Sequence, residues 1–423
     1  MVQLMIIADD FTGALDTGVH FAEKGIRTRV IVSLEDDRSW TDTLNSDQAL
    51  VLVIDAETRH VSKEQAFQKV YAIVTEGKKV GIPYIYKKTD SALRGNIGSE
   101  LEAAYTASGE QNLFFVPAFP QMNRITKGGK QYIDGVLVSQ SVFGRDPFEP
   151  VTKDSVTEII RLQSEIPVRE LAKSDQIEGQ ERGVLVFDAE TEDDIQRIGE
   201  HLIVSGKSLL LAGCAGFALI LAELLGLECQ ALSKTVLEER LFVICGSVNP
   251  ITRRQLEQGQ KAGYPRVHMT PEEKLDKSFW KSKAGEAWIQ QLIEQSREYD
   301  CVMLDSNDCE GQPQTMVYAK EKGMNIEQVR QSISDSFGII LKKVLDKGLE
   351  AVILVTGGDT LLGFMKEIGQ WELQPIQEIK PGCVLTKLHY KNREYHIITK
   401  SGGFGSEDLL VKLTNEMTSF RHL

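Results

Sequence analysis

Eight glycines in this chain stand where a short apolar run gives way to a segment of helical period: Gly13, Gly95, Gly98, Gly213, Gly216, Gly246, Gly357 and Gly358. A chain punctuated this way builds strand–turn–helix units, because glycine opens the turn and lets backbone N–H groups approach a ligand closely. In the first half the apolar runs are 4–8, 29–32, 50–54, 84–86, 113–116, 184–187 and 209–212. Helical faces alternate with them: Leu15, Val19 and Ala22 before Gly25, a stretch over 62–78, Ile97 to Tyr105 before Gly109, and 216–225. A second series has runs at 241–245, 301–304 and 351–355, with helices from Asn249 and over 326–345. Asn249 followed by Pro250 reads as an N-cap and first helical position. The alternation predicts an α/β fold of largely parallel sheets flanked by helices. The polar stretch 233–240 divides the series, predicting two domains, 1–232 and 240–423, with the active site in the cleft between them.

With 48 Lys+Arg against 61 Asp+Glu, the formal net charge is −13. Counterion release on nucleic acid needs clustered cations, and anionic membranes repel an acidic chain, so neither is an expected partner. Small anions stay eligible, because attraction can be local. Arg59, Lys87, Lys88, Arg94, Arg124 and Lys400 supply it in or beside the turns. The start MVQLMIIADD lacks a basic n-region, and no apolar run approaches the roughly 20 residues of a membrane span. Six cysteines lie in the second half without CxxC pairing, which reads as reduced thiols of a cytoplasmic protein rather than a disulfide or zinc framework.

The first turn, ADDFTGALDTG, ends a strand in Asp9-Asp10. Adjacent strand side chains point to opposite faces, so one carboxylate is expected to enter the cleft while the other serves structure. Asp10 also reads as a plain helix cap. The second turn, KKTDSALRGNIGSE, packs two lysines, Asp90, Ser91 and Arg94 between a strand and a helix start, a density of charge that points to function. Arg94 suits a substrate carboxylate, and Asp90 or Asp10 suits a hydroxyl whose proton must leave. The long segment from Val116 is punctuated by Pro and Gly and carries a hairpin signal around Asp134-Gly135, which predicts an ordered lid or rim. Arg124 and Arg145 are its candidate ligand contacts, with structural ion pairs the other reading.

In the second half, CGSVNPITRRQ, VTGGDTLLGFM and TKSGGFGSEDLL each place glycine before a helix. Helix N-termini favour anions, and three such turns in one domain favour a polyphosphate. Gly206-Lys207-Ser208 resembles the end of a phosphate loop but precedes its apolar run and lacks the upstream glycine, having His201 there. GxGxxG opening a first βαβ unit, HExxH and GxSxG are all absent, and no histidines pair at a metal-ligand spacing. His20 and His60 read as surface and loop residues, His60 with the option of lining the cleft beside Arg59.

ADDFTGALDTG, KKTDSALRGNIGSELEA, VPAFPQMNR, DGVLVSQSVFGRDP, CGSVNPITRRQ, TGGDT and TKSGGFGSEDLL, in this order, resemble the signature blocks of the four-carbon acid sugar kinases, from Ile6 to about Leu410. The resemblance implies an N-terminal sugar-acid domain and a C-terminal ATP domain. It also implies phosphorylation of the terminal hydroxyl of D-threonate or D-erythronate, or else of a 3-oxo-tetronate. Position by position, it puts Asp10, Arg59, Lys88, Thr89, Asp90, Ser91 and Arg94 on the substrate side. Ser247, Gly357, Gly358, Asp359, Thr360 and Gly403 fall on the ATP side. Val248-Asn249 departs from the Ser or Cys-Ser common there, and Ala92 from a common Thr. Phosphoryl transfer asks for in-line positioning and charge neutralisation, with Mg²⁺ bridging phosphate oxygens. That assigns Asp10 or Asp90 to orient the hydroxyl, Lys88 to the transferred charge, and Arg59 with Arg94 to the carboxylate end. No metal ligands are assigned. The expected partners are a small sugar acid and ATP, with a homodimer also open. A non-catalytic two-domain sensor of the same ligands is the reading from a different class.

Overall fold

The computed structural model describes residues 1–32, 40–44, 49–146, 149–172, 182–203, 209–231, 235–309 and 314–419. Gly206-Lys207-Ser208 and the first residues of the polar stretch after 232 lie outside the described residues. The chain separates into two compact units, Met1–Leu232 and Ser233–Leu423.

In the first unit the chain runs β1 (Leu4–Ala8), α1 (Phe11–Glu23), β2 (Thr28–Val32), α2 (Trp40–Leu44), β3 (Val51–Asp55), α3 (Lys63–Lys79), β4 (Tyr84–Lys88), α4 (Ile97–Ser108) and β5 (Asn112–Val116). It continues through β6 (Arg124–Lys127), β7 (Lys130–Ile133), β8 (Val136–Leu137), α5 (Val156–Arg161), β9 (Val168–Leu171), β10 (Gly183–Phe187), α6 (Glu192–Ile203), β11 (Leu209–Gly213) and α7 (Ala215–Leu224). The main sheet is parallel throughout, in the order β2-β3-β1-β4-β11-β5-β10-β9. All five side chains of β1 are buried, as a central strand covered on both faces requires. The Ser62–Gln65 capping box starts α3, and Gly109 in the left-handed region (φ 69°) ends α4.

The strand order decides where a ligand can sit. From β1 the chain moves outward to β2, returns to β3 beside β1, then crosses to β4 on the other side of β1. Connections therefore diverge at the carboxyl ends of β1 and β4, leaving the crevice in which open α/β sheets bind ligands. The long segment after β5 carries the expected hairpin. It forms an antiparallel β6-β7-β8 sheet, with Asp134 (φ 49°) and Gly135 (φ 81°) in the tight turn between β7 and β8.

The second unit contains β12 (Leu241–Cys245), α8 (Pro250–Lys261), β13 (Arg266–His268), α9 (Pro271–Leu275), α10 (Lys283–Glu298), β14 (Cys301–Asp305) and α11 (Gln314–Glu321). There follow α12 (Ile326–Asp346), β15 (Val352–Thr356), α13 (Gly358–Ile368), β16 (Glu372–Lys380), β17 (Cys383–Tyr390), β18 (Arg393–Lys400) and α14 (Leu409–Ser419). Its sheet runs β13-β14-β12-β15-β18-β17-β16, parallel from β13 to β18. The α/β expectation holds, but β16, β17 and β18 form an antiparallel meander that the sequence reading missed. Its β17–β18 turn uses Lys391 (φ 47°) and Asn392 (φ 62°), so the glycine that usually marks such a hairpin is lacking. Cys214, Cys245, Cys301 and Cys383 are buried free thiols, while Cys229 and Cys309 are exposed. Among the described residues no helix is long and apolar enough to cross a membrane.

Candidate active site

In the first unit the carboxyl ends of β1, β3 and β4 converge on one guanidinium. Arg59 donates from Nε to Asp9 Oδ2 at 2.8 Å and from Nη1 to Asp10 Oδ2 at 2.5 Å. Its Nη2 lies 2.7 Å from Asp9 Oδ2 and 3.8 Å from Asp90 Oδ1. The backbone N–H groups of Thr58 and Arg59 donate to the Asp9 carbonyl, which ties the segment after β3 to the end of β1. Asp10 serves twice. Its Oδ1 accepts from Gly13 N at 2.9 Å, capping α1, while Oδ2 faces Arg59. The helix-cap reading and the site reading therefore describe the same carboxylate. Of the three acids Asp10 is the most open, its side chain 26% exposed against 3% for Asp9 and 9% for Asp90.

Asp90 is saturated with donors. Oδ2 accepts from Ala92 N at 3.1 Å, Arg94 N at 3.3 Å and Arg94 Nε at 3.0 Å, and Oδ1 accepts from Arg94 Nη2 at 3.0 Å. The turn that allows this puts Leu93 (φ 64°) and Gly95 (φ 86°) in the left-handed region. Burial alone would raise the Asp90 carboxyl, but Arg59, Arg94 and Lys88 overcome it and hold the group far below the usual carboxylate range. Burial likewise opposes ionisation of Asp9, and Arg59 with the two lysines outweighs it. Arg94 spends its remaining nitrogen on Asp146 Oδ2, at 3.1 Å. Asp9 and Asp146 were not picked out as site residues from sequence. The Asp9-Asp10 doublet carried the signal for one, whereas nothing local marks Asp146 as a partner 52 residues from Arg94.

The two lysines at the end of β4 part ways, as strand alternation demands. Lys87, expected to attract an anionic ligand, is fully buried, pairs with Glu100 at 2.6 Å and donates to the Ile7 and Lys88 carbonyls. It is a core ion pair, and that expectation is corrected. Lys88 points to the other side, 6% exposed. A Cβ on Gly13 would lie 2.9 Å from Lys88 Nζ and 2.5 Å from Asp10 Oδ1, so the missing side chain is what lets ammonium and carboxylate close over the start of α1. Thr89 joins the turn to β11 through its N–H and the Gly213 carbonyl, at 2.8 Å. Ser91 accepts from Arg124 and offers its carbonyl to Gln131 Nε2 at 3.0 Å. His60 pairs with Glu149 at 2.9 Å and lines, with Arg59, Arg94 and Gly95, a cavity of about 290 Å³. Arg145 is exposed, and Arg124 reaches the turn.

In the second unit the three glycine turns leave adjacent parallel strands at one level. Cys245 is in register with Thr356, and Thr356 with Lys400, so Gly246, Gly357 and Ser401 follow side by side. A Cβ on Gly246 would overlap Thr360 Oγ1. Gly357, at φ 96°, caps α13, and Gly358 opens that helix. Asp359 is half exposed in its first turn, 3.6 Å from Arg330. Ser247 Oγ accepts from Asn249 N at 3.2 Å and lies 2.8 Å from where a Cβ on Gly402 would be. Asn249 caps α8 by accepting from Ile251 N at 2.9 Å, and its Nδ2 is 3.7 Å from the Cβ position of Gly403. Lys400, expected to face a ligand, is instead buried and donates to Thr252 Oγ1 and the Ser401 carbonyl, so it braces the third turn. Burial lowers its ammonium from the ordinary lysine value.

A family model described as the sugar-binding N-terminal domain matches residues 4–221, and one described as the nucleotide-binding C-terminal domain matches 242–410. The chain is 30% identical to a D-threonate kinase of Salmonella typhimurium, covering 97% of each. It is 28% identical to a D-erythronate kinase of Heliobacterium modesticaldum (98% of this chain, 99% of the relative). A 3-oxo-tetronate kinase of Pseudomonas fluorescens is 25% identical over 97% of this chain and 96% of its own length. The crystal structure of a Haemophilus influenzae protein shares the fold at TM-score 0.75 and 22% identity, covering 98% of this chain and 100% of that one. With both domain models in place across nearly its whole length, the chain belongs to the four-carbon acid sugar kinase family.

Proposed function

We propose that this protein is an ATP-dependent kinase that phosphorylates the C4 hydroxyl of D-threonate or D-erythronate. The observation that carries the reading is that an open carboxylate, Asp10, and the Lys88 ammonium both border the space above Gly13 at the sheet's switch point. Asp10 accepts the hydroxyl proton as the C4 oxygen attacks the γ-phosphorus. The bond to the bridging oxygen breaks, and ADP leaves with the electron pair. Lys88 faces the charge on the transferring group. Asp90, with four donors already on it, is a poor proton acceptor and positions the Lys88–Arg94 turn. ATP is read by the adjacent turns of the second unit, through N–H groups at Gly357, Gly358 and Gly403 and through Ser247 and Thr360.

Mg²⁺ fits this scheme as an ion held mainly by phosphate oxygens and water, since it commonly takes only one or two protein carboxylates. Among the described residues no cluster of three or more ligating side chains occurs, and Asp359 is the carboxylate that the TGGDT turn itself carries. When bound, the ion would neutralise phosphate charge.

An ATP-consumption screen over D-threonate, D-erythronate, their L-forms and 3-oxo-tetronates tests the proposal. Turnover with D-threonate or D-erythronate is expected. Turnover confined to a 3-oxo-tetronate would move the substrate assignment, and none with any acid would overturn the kinase reading in favour of a sensor. On the ATP side, Gly246→Ala forces Thr360 aside. Its KM for ATP is expected to rise about tenfold, the worth of one phosphate hydrogen bond, with the sugar-acid KM unchanged in steady-state kinetics.

A further inference from the structure

Three guanidiniums face the turn after β4, and two are occupied. Arg59 is tied to Asp9 and Asp10, and Arg94 to Asp90 and Asp146. Arg124, the first residue of β6, has no carboxylate partner among the described residues. It donates to the Ser91 hydroxyl, and its guanidinium lies 5.2 Å from the centre of the Phe143 ring. The same ring holds Arg94 at 5.0 Å. The Arg124 backbone is fixed as well, its N–H donating to the Phe119 carbonyl at 3.1 Å and its carbonyl accepting from Phe119 N at 2.7 Å.

This guanidinium converges with the other groups of the site. The buried Cys214 thiol, at the start of α7, is pushed up by burial and feels the charges of Lys88, Arg124 and Asp90 together. α7 begins there without a side-chain cap. An arginine stacked on an aromatic ring, pinned at its backbone and left without an acid, offers a pre-organised fork that matches a carboxylate.

We propose that Arg124 is the residue that receives the carboxylate of the sugar acid, with Ser91 and Phe143 as positioning residues that hold its fork. The proposal deepens the kinase reading and rests on it. It moves the carboxylate contact away from Arg59 and Arg94, whose guanidiniums hold the aspartates of the site. Recognition of the acid end then comes from the rim segment and not from the turn that carries Asp90.

The test compares D-threonate with threitol, which has the same carbon chain and hydroxyl but no carboxylate, in wild type and in Arg124→Gln, Arg124→Lys and Phe143→Leu. In Arg124→Gln the kcat/KM for D-threonate is expected to fall by about tenfold to a hundredfold, the range of one charge-assisted pair, while that for threitol and the KM for ATP stay level. Arg124→Lys keeps the charge without the fork and recovers part of the preference. Phe143→Leu raises the D-threonate KM with little change in kcat. Equal losses for acid and polyol in Arg124→Gln would overturn the proposal. If Arg124→Gln does not fold, the same comparison in Arg124→Lys decides it. If wild type turns over no four-carbon acid, the kinase reading fails by itself. Calorimetric binding of D-threonate then tests Arg124 separately: binding by wild type that Arg124→Gln loses supports it, and equal or absent binding in both overturns it.

Discussion

Asp10→Asn is expected to lower kcat by about 10²- to 10⁴-fold, the usual contribution of a positioned proton acceptor, with the KM for ATP unchanged. The substitution keeps the helix start while removing one of the two carboxylate charges that Arg59 pairs with directly. Asparagine caps helices as well as aspartate does, so the start of α1, where Oδ1 accepts from Gly13, survives the change. Asp90→Asn is the informative partner. It removes the charge from a carboxylate that four donors hold, so its main effect is expected on stability and on the sugar-acid KM. Steady-state kinetics and thermal melts of both variants check this. Near wild-type turnover in both would mean that neither aspartate takes the proton, and the assignment would be abandoned.

Arg59→Gln is expected to destabilise the first unit by about 3–5 kcal/mol, because it leaves buried carboxylates without their shared counter-charge. Arg59 is 11% exposed and serves Asp9 and Asp10 directly, so little solvent screening is available to replace it. The effect has a pH signature. Burial would raise Asp9 and Asp90, and Arg59 is the leading reason both sit below their ordinary range. A carboxyl with a depressed folded value contributes stability above its unfolded value, about 3.9, and loses it as pH falls through the folded value. The gap between wild type and variant should therefore be largest at pH 7 and shrink as pH falls, beginning where the variant's acids, left to burial without Arg59, take up protons and continuing towards the lower wild-type values. Denaturant unfolding at pH 7, 5 and 3 measures it, and a gap independent of pH would show that Arg59 does not act through these acids.

Much of this arrangement is legible in the chain because its signals are local. Apolar runs of strand length, helical periods between them and glycines at the junctions identified the α/β rhythm. The DDFTG and KKTDSALRG turns were recognisable as charged turns before helices, and the antiparallel meander was missed because Lys391 and Asn392 occupy positive φ without glycine. Strand alternation even contained the answer for Lys87 and Lys88, although only Glu100, lying 2.6 Å from Lys87, shows which lysine faces inward.

What the sequence by itself determined was the set of chemical groups and the turns that carry them, since propensity, periodicity and glycine placement act over a few residues. Only the tertiary structure decided which groups are available. Arg59, Arg94 and Arg124 are equal as residues, yet two are neutralised by aspartates up to 52 positions away and one, among the described residues, is not. The three glycine turns of the second unit are likewise scattered along the chain and meet only because β12, β15 and β18 are neighbours in register. Charge pairing and sheet register depend on contacts between distant segments, and a linear pattern of residues does not encode which of those contacts form.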